Sequence, residues 1–273
     1  MTSTAITAEL TTTRTRTPRR PRLVSAELLK LRKRRGLVAT ALALTVLPMI
    51  IAYTVLLILH AVNATKHGPA GGLENLSGSM DLLTTLSVVA AILIGATLGA
   101  GDLSAGVFRE LVVTGRSRFA LFAARLPAGL ALLWTIVGAG FAVTAIGSTV
   151  FAGSLDAPSV GLLVETAAWL GLVSGLALVL ALGVSSAIGS RGTTIGIVLG
   201  WQIVAVPVLL QIKTLGSLRD ALLGAATNDL APAALFDGPQ RLAMSTAAIA
   251  VVIALWAVVP LALGAWRTAT RDA

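Results

Sequence analysis

The sequence predicts an all-α, polytopic membrane protein with six transmembrane helices, and three observations carry that reading. The 273 residues are 56% hydrophobic and only 12% charged, against about 25% charged in an average soluble domain. Mean hydropathy is +0.89, and a water-soluble chain of this length could not enclose so much apolar surface in one core. The apolar residues also gather into six runs, each long enough for the roughly 20 residues that a helix needs to cross a bilayer.

Residues 1–21 are rich in Thr, Arg and Pro and lack apolar periodicity. Such a composition buries too little surface to fold, so a disordered basic tail is expected. Arg19-Arg20 matches the pair of a twin-arginine export signal, but prolines flank it, and the next apolar run starts only at Leu37. That run is too long for a signal-peptide core, so no cleavage is expected. Residues 22–35 read as an amphipathic interfacial helix. Val24, Leu28 and Leu31 recur at i, i+4 and i+7, while Glu27, Lys30 and Arg34 take the other side. Lys30, Arg32, Lys33, Arg34 and Arg35 abut the first apolar run, where anionic headgroups would hold them at the membrane interface.

The six spans are expected at 37–61, 82–101, 128–152, 162–189, 194–212 and 244–266. They form one transmembrane domain over 36–267, followed by a short tail at 268–273. Placing the N-terminus inside puts 17 of the 21 Lys and Arg residues on the inner side, leaving Lys66, Lys213, Arg219 and Arg241 outside. This bias orients the chain with both termini in the cytoplasm. It also accounts for the formal net charge of +9 without calling on nucleic acid. The chain has no cysteine, which excludes disulfides, thiolate metal sites and thiol catalysis. Two histidines, His60 and His67, are too few for a histidine-rich metal cluster. No metal site and no cofactor is expected in this chain.

Ionisable residues inside the spans are scarce. His60 falls near the outer end of the first span, Glu165 near the outer start of the fourth, and Gln202 is the most central strongly polar residue of the fifth. Glu165 and Gln202 are the candidate pathway residues, since polar groups in a membrane are functional suspects. The absence of a central Asp, Glu or Lys weakens a proton-coupled mechanism. Small residues recur every fourth position at Gly95 and Gly99, at Gly171 and Gly175, and at Gly192, Gly196 and Gly200. Packing within one subunit is the favoured reading of that spacing, and a dimer seam is the other. No catalytic constellation stands out. A Gly-rich phosphate loop ending in Lys-Ser/Thr is lacking, so the chain alone should not bind or hydrolyse ATP. A Gly-x-Ser-x-Gly elbow and a His-Glu-x-x-His helix are lacking too.

The inner loop from Gly101 to Leu126 is the most informative stretch. Ser104 can cap a short helix whose apolar side is Phe108, Leu111 and Val112, with Arg109 and Glu110 turned to the cytoplasm. Such a helix suits docking into a groove on a soluble partner; a connector lying on the lipid is the plainer alternative. Thr114-Gly115 punctuates it, and Ser117 can cap a second helix leading into the third span. Arg118 and Arg125, seven apart, share a face of that helix, and Pro127 marks a bend where the chain enters the membrane. Outside, Leu215, Leu218 and Leu222 recur at helical spacing before a break at Asn228-Asp229-Leu230-Ala231-Pro232.

Asp102, Gly106-Val107, the short helix Phe108 to Val113, Gly115-Arg116-Ser117-Arg118 and Arg125 together resemble the loop between the second and third spans of type-2 ABC exporter permeases. Ala26-Glu27-Leu28-Leu29-Lys30-Leu31-Arg32 is similar to that family's lead-in to the first span. The departures are Asp102 where Glu is usual, Val107 for Thr and Gly115 for Pro. The resemblance implies that the loop is a coupling helix, with Asp102, Phe108, Arg109, Glu110, Arg116 and Arg118 serving contact with a separate cytoplasmic ABC ATPase. It implies a complex of two permeases and two ATPases, the second permease being another copy or a homologue, with ATP and Mg held by the partner. It also implies an outer helix pair after the fifth span that helps gate the exit. A pathway with few charges suggests a hydrophobic or amphipathic cargo, and the abundance of Ala, Gly and Arg over Lys points to a GC-rich bacterial genome, so a bacterial plasma membrane is the expected location. Two other classes remain open. A six-span secondary transporter would need midplane ion ligands or broken helices in matching halves; Pro48 and Pro207 fall in the first and fifth spans without matching charged sites. A non-transport assembly factor or membrane-embedded enzyme is the third class, and an enzyme would need clustered catalytic polar residues.

Overall fold

Backbone N–H and C=O groups have no water to bond in hydrocarbon, so apolar runs of this length satisfy them internally as helices. A computed structural model describes residues 23–104, 117–236 and 241–270. It is 83% helical with no strand among the described residues, and six helices are long and apolar enough to cross a membrane. The chain is an all-α polytopic membrane protein.

A short helix α1 (Leu23–Lys33) precedes the first span, which is built from α2 (Arg35–Thr45) and α3 (Leu47–Val62). The second and third spans are α4 (Leu73–Ser104) and α5 (Arg118–Val150), and the fourth is α6 (Val160–Ile188). The fifth runs through α7 (Arg191–Leu199), a π turn (Gly200–Ala205) and α8 (Val206–Gln211). A 3₁₀ segment (Lys213–Ala221) and α9 (Leu223–Asp229) form a helix pair before the last span, α10 (Thr246–Thr270). Ser117, Ser159 and Ser190 cap α5, α6 and α7, each side chain accepting a backbone N–H of the first turn. Gly189 ends α6 in the left-handed conformation, with φ of 82°.

Spans two and four form the centre. Buried residues make up 61% and 67% of their most apolar windows, against 17% in spans one and six. Their seam is set by small residues. A Cβ on Gly95 would stand 2.6 Å from the Leu178 carbonyl oxygen, and one on Gly99 would stand 2.7 Å from that of Leu182. Gly183 does the same for α6 against α10, where a Cβ would run into the Pro260 carbonyl. The first two glycine pairs therefore pack within the chain, Gly175 against Leu130 and Trp134 at ordinary contact distance. Gly192, Gly196 and Gly200 differ: nothing lies within 4 Å of a Cβ built on any of them.

Three local expectations change. Span two starts at Leu73, nine residues before the apolar run at 82, because Leu76, Met80 and Leu83 bury one face of a stretch whose remaining residues are mostly polar. Pro127 lies inside the continuous helix α5 rather than at a bend between two. In α1 the buried residues are Glu27 and Leu31, while Val24 stays 40% exposed. The side facing the bundle is therefore centred on an acid that the periodicity assigns to the outer face.

Segment 105–116, with Phe108, Arg109, Glu110 and Arg116, lies outside the described residues, as does the tail at 1–21.

Candidate functional site

The two described residues that border segment 105–116 most informatively are Asp102, on the last turn of α4, and Arg125, two turns into α5. Arg125 is 2% exposed and Asp102 9% exposed. The Arg125 Nη2 donates to Asp102 Oδ2 at 2.7 Å, and its Nη1 reaches the Gly99 carbonyl at 3.4 Å. Lys30 of α1 donates to both Asp102 oxygens at 3.2 and 3.3 Å and pairs with Glu27 Oε1 at 2.7 Å. One carboxylate thus ties together α1, α4 and α5, at the end of the bundle where the lysines and arginines of α1, α5 and α7 gather.

The energies within this hub are unequal. The Lys30 ammonium is 43% exposed, so its bonds are solvent-screened and contribute no more than about 1 kcal/mol. The buried Asp102–Arg125 pair is different, since deleting one partner strands the other charge in an apolar setting at about 3–5 kcal/mol. It functions as a fixed strut between α4 and α5. Arg118, seven residues before Arg125 and so on the same face, donates to the Ala269 carbonyl of α10 at 3.2 Å. Both roots of segment 105–116 are therefore fastened, one to α1 and the other to α10.

The remaining sequence-predicted residues fall apart from this hub. Arg32, Lys33, Arg34 and Arg35 are exposed around the α1–α2 junction. Glu165 is exposed on the second turn of α6. Gln202 is half-buried in the π turn and lines a cleft of about 240 Å³ with Thr84 and Thr85 of α4 and Thr227 and Asn228 of α9. Glu165 is not among that cleft's lining residues, so the two candidate pathway residues are not brought together. The Thr84 hydroxyl is buried with no hydrogen-bond partner among the described residues.

The cleft is walled on one side by α9, and the helix pair it belongs to is well anchored. Trp169 of α6 donates to the Thr227 carbonyl at 2.8 Å and packs its ring 4.7 Å from Phe236. Ser77 donates to the Leu235 carbonyl at 2.7 Å, and Trp256 of α10 to Ala221 at 2.9 Å. The Asp229 carboxylate accepts the Leu242 and Met244 amides at 2.8 and 2.6 Å, spanning Ala243, a non-glycine residue at φ 53°. Among the described residues no group of three or more His, Cys, Asp or Glu side chains could hold a metal ion.

Arg125 and Glu27 are the members of the hub that the sequence reading leaves out of its candidate set. The available signal was an arginine deep in an apolar helix, with Asp102 the acid at the nearest end of a neighbouring span. No family model matches the chain, and no curated protein matches it.

Proposed function

We propose that the chain is the permease subunit of an ATP-driven exporter, moving a hydrophobic or amphipathic cargo with energy from a separate ATP-hydrolysing subunit. On this reading it sits in a bacterial plasma membrane with both termini in the cytoplasm, where 17 of the 21 basic residues then face. The observation that carries the proposal is the buried Asp102–Arg125 strut at the roots of segment 105–116. A push on that segment from a docked partner is delivered to spans two and three together, and through Lys30 to α1. Rigid coupling of this kind is what an external motor needs, because packed helices shift as units rather than deforming continuously.

Two further features fit. Gly192, Gly196 and Gly200 present an open small-residue stripe on span five, suited to close approach by a second permease. The anchored outer helix pair stands over the cleft at Gln202, at the end opposite the hub, where an exit gate belongs. The secondary-transporter reading gains less. Val46, between α2 and α3, keeps helical angles of −95° and −47°, so span one is not a broken helix.

The test is a comparison of two tagged chains in the native host, the natural one and Arg109→Ala/Glu110→Ala. A soluble subunit carrying an ATP-binding phosphate loop is expected to co-purify in mild detergent with the natural chain. The variant is expected to insert at the same level and lose that subunit about tenfold or more. Equal recovery with the variant contradicts the assignment of the docking contact, and its absence from both contradicts the proposed function.

A further inference from the structure

At the basic end of the bundle, on the opposite side of Arg34 from the Asp102 hub, α2, α4 and α7 leave a cleft of about 520 Å³. Its lining is Arg34, Arg35 and Arg191 together with Leu37, Thr40, Leu93, Thr97 and Gly36. That volume is in the range of about 300–1,000 Å³ typical of small-molecule sites.

Three arginines from two separate parts of the chain line this cleft, and no carboxylate does. The nearest acids are already committed, Glu27 to Lys30 and Asp102 to Lys30 and Arg125. Among the described residues Arg34, Arg35 and Arg191 enter no ion pair. Bringing three like charges together costs free energy unless an anion is shared between them. Arginine forks match the oxygens of a phosphate, which can accept from more than one guanidinium at once.

The rest of the lining says which kind of anion. Leu37 and Leu93 form an apolar floor, and α2 and α7 both continue from the cleft into membrane spans. A ligand that fits both parts has an anionic phosphate head and a hydrocarbon tail running along the helices. Basic pockets between transmembrane helices at the headgroup level are suited to that chemistry. We infer that this cleft is a binding site for the phosphate of an anionic phospholipid, held by Arg34, Arg35 and Arg191. The site is independent of the proposed transport function. It would link α2, the start of span one, to α7, the start of span five.

The test uses the full chain purified in mild detergent and analysed by native mass spectrometry after addition of phosphatidylglycerol, of phosphatidylcholine, or of inorganic phosphate. One phosphatidylglycerol per chain is expected, with much weaker retention of phosphatidylcholine. Each arginine near the surface contributes a factor of about five in affinity. Arg35→Gln/Arg191→Gln should therefore weaken phosphatidylglycerol about 25-fold, while Arg35→Lys/Arg191→Lys retains most of it. Arg267→Gln, which removes a basic residue outside the cleft, should leave it unchanged. Thermal unfolding of each variant followed by tryptophan fluorescence checks that the fold is kept.

Three results overturn the inference. In the first, the double glutamine variant folds and binds phosphatidylglycerol as the natural chain does. In the second, Arg267→Gln weakens it as much, which reduces the effect to general surface charge. In the third, inorganic phosphate at millimolar concentration displaces the lipid, making the cleft a site for free anions.

Discussion

Among single residues, Arg125 matters most to this account. An arginine inside an apolar helix is expensive unless its charge is matched, and Asp102 matches it at 2.7 Å. Asp102→Ala should destabilise the fold by about 3–5 kcal/mol, because it leaves the 2% exposed guanidinium without its partner. Adding Arg125→Met to that variant should restore most of the loss, since an apolar pair of similar volume needs no compensation. Reversible unfolding in mixed detergent micelles reads both. Additive losses in the double variant would mean that the two side chains do not depend on each other. The sequence marks Asp102 and Lys30 as notable but assigns them to different tasks, because residues 72 apart in the chain show no relation until the fold brings them together. Glu27 was illegible for a related reason. Helical periodicity sorts residues by polarity, and a buried acid paired with a half-exposed lysine on the same helix defeats that sorting.

At the scale of elements, hydropathy alone marks the six spans, because each needs a long apolar run and little else. Their ends are less legible. Span two gains about two and a half mostly polar turns from Leu73, where only every third or fourth residue is buried. Glycines divide into those that seat a neighbouring backbone and those that seat nothing, which spacing alone cannot separate. Gly99→Ala should cost about 1–3 kcal/mol by forcing α4 away from α6, where a Cβ would meet Leu182 and Ser186 backbone atoms below 3.0 Å. Gly196→Ala should leave the stability of the single chain unchanged, since its Cβ would meet open space. The same unfolding assay applied to the pair checks both outcomes. At the end of α9, Asp229→Ala removes the acceptor of two amides that flank the strained Ala243. The expected cost is about 1–3 kcal/mol, with hydrogen exchange rising first around residues 241–245.

For the whole molecule, the central pair α4 and α6 forms a buried frame with the other helices around it. The described residues on either side of segment 105–116 are fastened to neighbouring helices, and the cleft at Gln202 opens beside the middle of α4 and α6. The proposed orientation is directly measurable because the chain has no cysteine of its own. Lys66→Cys should react with a membrane-impermeant maleimide on intact cells, and Arg267→Cys should react only after the cells are opened. The reverse pattern would invert the protein. On the proposed function, work enters through a separate ATPase, and purification from the native host tests this. The tagged chain is purified from its native host in several mild detergents, and ATP hydrolysis in the eluate is assayed alongside mass spectrometry of its components. The account predicts vanadate-sensitive hydrolysis that co-elutes with the chain and belongs to a stoichiometric soluble subunit. Folded chain recovered repeatedly without such a subunit or activity would contradict it and favour a transporter driven by an ion gradient.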